Sequence, residues 1–141
     1  GCAEWSVIEG ILPYLVQYLL DIKHMNPQKH KEFTGRSNEL MLENAMKIAK
    51  SGMTQLSIRV PVIPTFNATA EEIQAIARYA DTLPGVKKLH LLPYHRLGQD
   101  KYEGLGREYL MKDILPPDME FMEKLKKAAQ SVCGLDIQIG G

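Results

Sequence analysis

The sequence predicts an α/β fold built on parallel strands. Short apolar runs, "YLLDI", "LSIRVPVI", "KLHLL" and "LDIQI", alternate with amphipathic helices. Apolar strands interleaved with helices belong to a parallel sheet covered by helices. The chain has 141 residues, enough for one domain with a real core. A closed eightfold barrel needs about 250 residues. Three strand–helix units therefore predict half of a larger barrel or a small open sheet.

Each element has its own signal. Glu4 to Ile11 predicts a helix with Trp5, Ile8 and Leu12 on one face, ended by Pro13. Tyr18 to Ile22 predicts a short buried strand. Asn26-Pro27 combines a cap with a first-turn proline and starts a short helix that stops near Thr34-Gly35. Asn38 to Ser51 is amphipathic, with Met41, Leu42, Ala45, Ile48 and Ala49 inward and Gly52 behind as terminator. Leu56 to Ile63 predicts a strand despite Pro61, which lacks a ladder donor. Thr69 with Glu72 spells a capping box before a helix carrying Ile73, Ile76, Ala77 and Ala80. Lys88 to Leu92 is the next strand. Pro93 to Leu115 is a long connection, of the kind that is usually functional or disordered. Pro117 opens the last predicted helix, with Phe121, Met122, Leu125, Ala129 and Val132 at helical spacing, and Leu135 to Ile139 alternates as a final strand. No repeat or domain boundary interrupts this order.

Lys plus Arg and Asp plus Glu are both 17, so the formal net charge is zero. That gives no basic stripe for nucleic acid. No stretch approaches the roughly 18 apolar residues of a membrane span, and no signal peptide is visible. The chain begins Gly1-Cys2 without Met and is expected to lack its authentic N-terminus. Cys2 and Cys133 stand at opposite ends and read as free thiols of a reducing cytosol. Asn67-Ala68-Thr69 is a formal glycosylation sequon, but Thr69 reads as a helix cap.

Ligands of parallel α/β folds bind at the carboxyl ends of the strands. The first strand ends in Asp21 and Lys23, the second carries Arg59 within its apolar run, and the third leads to His95. Each alone reads equally as a strand-end ion pair, a capped turn or a loop anchor. Together they predict a polar cleft. His24, His30 and His90 read as surface or helix-face residues without ligand spacing. Two chemistries suit such a cleft. Lys23 is placed to form a Schiff base in aldol-type chemistry. Alternatively, Lys23 and Arg59 take the carboxylate of a zwitterion and Asp21 its amine. Spacing does not choose between them.

The stretches "LLDIKHMNPQKHKEFTGRSN", "IRVPVIPTFNAT" and "LLPYHRLGQDKYEGLG" resemble the C-terminal part of glycyl-radical-enzyme activating enzymes, the pyruvate formate-lyase-activating type of the radical SAM superfamily. The resemblance runs from about Tyr18 to the end. It implies the C-terminal half of a partial (β/α)6 TIM-like barrel with parallel strands. It implies S-adenosylmethionine and a [4Fe-4S] cluster as cofactors of the full-length protein. It implies a partner glycyl radical enzyme, from whose glycine a 5′-deoxyadenosyl radical takes hydrogen, and a flavodoxin or ferredoxin as electron donor. By position, Asp21 and Lys23 correspond to residues at the methionyl end of S-adenosylmethionine, Arg59 to an arginine near the cofactor, and His95 to the residue beside the nucleoside. The loop from Arg96 to Tyr109 would lie at the mouth, where the partner's glycine enters.

The family's three-cysteine cluster motif and its glycine-rich S-adenosylmethionine motif are absent, and two distant cysteines do not replace the former. Gly1 matches the last glycine of an acid-Thr-x-Gly segment whose acid and Thr fall upstream. Residues 1–141 are therefore expected to form a single domain from the C-terminal half of a cytoplasmic activase. Alone, that piece is expected to be inactive and to bind neither cofactor well. Its first strand is expected to lose a neighbour and expose an edge and an apolar face, which favours self-association.

Overall fold

The structure, a computed structural model, describes residues 3–94 and 115–140. His95, the loop 96–109 and Cys2 lie outside the described residues. The elements are α1 (Trp5–Ile11), a 3-10 turn (Leu12–Tyr14), β1 (Gln17–Asp21), α2 (Pro27–Thr34), α3 (Glu39–Ser51), β2 (Gln55–Val62), α4 (Ala70–Asp81), β3 (Lys88–Pro93), α5 (Met119–Gln130) and β4 (Asp136–Ile139). The strands form one parallel sheet in the order β1-β2-β3-β4.

That order settles the architecture. A doubly wound open sheet reverses direction at a switch point and carries helices on both faces. Here each new strand is added beside the last. One face carries Leu20, Leu56, Ile58, Val60, Leu89, Leu91 and Ile137, all buried in one core with Ile48, Ile73, Ile76, Met122 and Leu125 of the helices. The opposite face carries Gln17, Ser57, Arg59, His90 and Gln138, with Leu19 as its apolar member, around an open cavity of ≈ 500 Å³. An apolar outer face under helices and a polar concave inner face describe a segment of barrel wall, not a small open sheet.

Local chemistry explains the boundaries. Asn26 Oδ1 accepts from Lys29 N at 3.0 Å, and Pro27 occupies the first turn of α2. Gly52 ends α3 at φ 66°, a conformation that disfavours a side chain. The β1–β2 ladder ends at the Asp21↔Arg59 pair, so Pro61 lies beyond it and its missing N–H interrupts nothing on that side. The Pro61 carbonyl instead accepts from Asn67 Nδ2 at 2.7 Å.

Several expectations are corrected. The last helix starts at Met119 with Asp118 as its cap, Asp118 Oδ1 accepting from Phe121 N at 2.8 Å, rather than at Pro117. Met122, Leu125 and Ala129 share its buried face, and Phe121, at the edge of that face, is exposed. β1 does form a sheet edge, but its uncovered face is mixed: Gln17, Leu19 and Asp21. The exposed apolar groups near that edge are Leu19 and, ahead of the strand, Tyr14 and Val16. His24 and His30 are buried rather than superficial.

Candidate functional site

Asp21 and Arg59 stand in register on neighbouring strands. Asp21 Oδ1 accepts from Arg59 Nε at 2.8 Å, and both side chains are 35 % exposed. At that exposure the pair adds little stability. Its effect is geometric: the carboxylate holds the guanidinium by one edge and leaves its outer N–H groups unclaimed among the described residues. Arg59 is in register with His90 on β3, and His90 with Gln138 on β4. A polar row, Asp21–Arg59–His90–Gln138, thus crosses all four strands at one level. His90 Nδ1 lies 3.0 Å from Gly140 O. A carbonyl only accepts, so Nδ1 is the donor in this contact. One level nearer the strand starts, Gln17 Nε2 donates to Ser57 Oγ at 2.7 Å.

Lys23 follows β1 by two residues and is half-buried. Ile22 between Asp21 and Lys23 is fully buried. Alternation therefore puts Lys23 on the Asp21 side of the chain. Its ammonium has no hydrogen-bond or ion-pair partner among the described residues. Its backbone is the opposite. Lys23 O accepts from Asn67 Nδ2 at 2.7 Å, His24 O from Asn38 Nδ2 at 2.7 Å, and Met25 O from the same nitrogen at 3.0 Å. Met25 N donates to Glu72 Oε2 at 2.7 Å and Asn26 N to His24 Nδ1 at 3.0 Å. Asn67 is fully buried, and its Oδ1 accepts from Ile63 N at 2.7 Å.

The capping box is accordingly only half formed. Thr69 Oγ1 accepts from Glu72 N at 3.1 Å, as Thr69 was expected to do, but the Glu72 carboxylate leaves its own helix for the turn after β1. The sequon asparagine is a buried structural amide. The structure therefore brings Asp21 and Arg59 into contact, places Lys23 at the same strand exit, and adds His90, Asn67 and Glu72, which sequence reasoning missed. Alternation with buried Leu89 and Leu91 was the available signal for His90.

His24 is 4 % exposed, and burial holds its imidazole below the ordinary value of 6.5. The Glu72 carboxylate, 3.3 Å from Nδ1, works in the opposite direction, while Lys29 and His30 add to the depression. An unprotonated Nδ1 accepts from Asn26, whereas a protonated one would turn to Glu72. A histidine with a lowered folded pKa stabilises the fold fully above its unfolded pKa, and that contribution is lost as the pH falls below it. Thermal stability followed from about pH 8 to about pH 5 is expected to decline below about 6.5, and His24→Gln is expected to flatten that decline. An identical decline in the variant would assign the loss to other groups.

No group of three His, Cys, Asp or Glu side chains that could hold a metal ion occurs among the described residues. No helix there is long and apolar enough to cross a membrane.

No protein-family model matches the chain. It is 40 % identical over 127 residues to the 4-hydroxyphenylacetate decarboxylase activating enzyme of Clostridioides difficile, covering 89 % of this chain and 40 % of that protein. It is 41 % identical over 141 residues to the isethionate sulfite-lyase activating enzyme of Desulfovibrio desulfuricans, covering 99 % of this chain and 44 % of that one. Among solved structures, a domain of pyruvate-formate lyase-activating enzyme from Bacteroides vulgatus superposes with TM-score 0.78 at 26 % identity, over 99 % of this chain and 76 % of that one. The chain spans about two fifths of the length of the curated relatives it matches. These relatives are activating enzymes, and the Schiff-base aldolase alternative finds no counterpart in them. By sequence and fold alike, the chain is similar to one part of the glycyl-radical-enzyme activating enzymes.

Proposed function

We propose that this chain forms the part of a radical SAM activase that grips the methionyl end of S-adenosylmethionine, in a longer cytoplasmic protein acting on a partner glycyl radical enzyme. The carrying observation is the charge arrangement at the strand exits. Asp21 and Arg59 are joined at 2.8 Å, and Lys23 follows Asp21 by two residues on a tightly held backbone. A zwitterionic amino-acid group has one carboxylate and one ammonium. Arg59 and Lys23 suit the first and Asp21 the second. The donor set fits this ligand. It does not fit an iron–sulfur cluster, because no described residues converge as metal ligands and the sequence holds only two cysteines.

When bound together, a reduced [4Fe-4S] cluster and S-adenosylmethionine supply a 5′-deoxyadenosyl radical able to take hydrogen from a glycine. The residues of this chain bind and orient. Arg59, steadied by Asp21, and Lys23 fix the carboxylate. The polar inner face keeps the barrel interior hydrated and hydrogen-bonding rather than greasy. The cluster ligands are assigned to another segment of the full-length protein, with flavodoxin or ferredoxin as electron source. His95 is kept as a nucleoside contact by family resemblance. The single-domain piece 1–141 is proposed to be inactive alone and prone to self-association through the β1 edge. The relatives' names give a decarboxylase and a sulfite-lyase as different partners, and the partner here is left at the class of glycyl radical enzymes.

The test uses the full-length protein, expressed anaerobically and reconstituted with iron and sulfide. Reductive cleavage of S-adenosylmethionine to 5′-deoxyadenosine is expected. A folded, reconstituted protein that gives none would overturn the proposal.

A further inference from the structure

Five hydrogen bonds converge on the backbone of residues 23–26, and four of them use side chains from three other places in the fold. Asn38 stands at the start of α3, Asn67 in the connection from β2 to α4, and Glu72 in the first turn of α4. They satisfy Lys23 O, His24 O, Met25 O and Met25 N, while His24 itself takes Asn26 N. Turns of this kind usually leave such groups to water. Three protein side chains spent on one turn indicate that its position is specified.

The cost of the arrangement is visible. Glu72 gives up the reciprocal bond of its capping box. Asn38 Oδ1 is buried with no hydrogen-bond partner among the described residues, so that amide is held there by its donors alone. Thr65, in the same connection as Asn67, adopts φ 70°, a left-handed conformation unfavourable for a β-branched residue. Asn67 also joins the two strand exits, because one amide group touches both Lys23 O and Pro61 O at 2.7 Å. Pro61 lies two residues beyond Arg59 on β2. The clamp therefore ties the backbone beneath Lys23 to the strand that carries Arg59.

We infer that Asn67, Asn38 and Glu72 are positioning residues that hold Lys23 at a set distance from Arg59, so that the two cations meet one carboxylate of a zwitterionic ligand together. This inference rests on the activase reading for its ligand, though not for the clamp. Glu72 is the residue to vary. It lies near the surface of α4, and neither Ala nor Gln disfavours a helix.

Two measurements on the full-length protein separate the possibilities. Amide hydrogen exchange at Met25 reads the clamp without any ligand. Titration with S-adenosylmethionine reads its effect. Glu72→Ala is expected to remove Met25 protection and weaken binding by about 3–10-fold, the loss expected from about one hydrogen bond. Glu72→Gln, which keeps an oxygen for Met25 N–H, is expected to restore both. In a Lys23→Ala background, Glu72→Ala is expected to change binding no further, because its effect runs through Lys23. An equal loss in both backgrounds would show a merely structural role and overturn the inference. So would unchanged binding with Met25 unprotected. A wild-type protein with Met25 protected that binds no S-adenosylmethionine would instead overturn the activase reading, and with it the ligand named here.

Discussion

Lys23→Ala in the full-length protein is expected to weaken S-adenosylmethionine binding by about 10–100-fold while leaving the fold intact. The magnitude follows from a charged hydrogen bond, about 1.5–3 kcal/mol, at about 1.4 kcal/mol per tenfold. The fold is spared because the turn is held through the Lys23 backbone, not its side chain. The ammonium has no partner among the described residues, so removing it orphans no protein group. Lys23→Arg is expected not to rescue fully, since a planar fork replaces a point charge on a fixed pedestal. Calorimetric titration and circular dichroism check the two halves. Unchanged affinity in a folded variant would remove Lys23 from the site.

Ile58→Ala is expected to be the most destabilising of the changes considered, costing about 2–5 kcal/mol. Ile58 is fully buried in the centre of β2, in register with Leu20 on β1 and Leu89 on β3. β2 has a strand on each side, so a void there cannot be relieved by an edge moving inward. A denaturation midpoint within experimental error of the wild type would mean that the helical layer closes over the void. The next residue, Arg59, faces the cleft. Adjacent positions on one strand thus separate a stability effect from a binding effect, which is the alternation of a strand put to use.

The elements were legible because their signals are local. Asn26-Pro27, Thr69 and Gly52 act where the sequence puts them. Asp21 and Arg59 were found because strand exits in parallel folds attract charge. Their register, and so their contact, lies between strands 38 residues apart and leaves no local trace. Glu72 shows the limit most clearly. Its spacing from Thr69 spells a capping box, yet the carboxylate bonds Met25, 47 residues earlier. His24 and His30 look like ordinary polar positions beside Lys and Asn, and only packing buries them.

By itself, then, the sequence determined the order of strands and helices, the boundaries at Asn26, Gly52 and Thr69, and the two strand exits that carry charge. Periodicity and capping are properties of a few neighbouring residues, so they survive in one dimension. The tertiary structure alone decided that the strands add in one direction, that one sheet face is polar and concave, and that Asn38, Asn67 and Glu72 meet beneath Lys23. Those outcomes depend on satisfying buried backbone groups across distant segments, and that requirement exists only once the chain is folded.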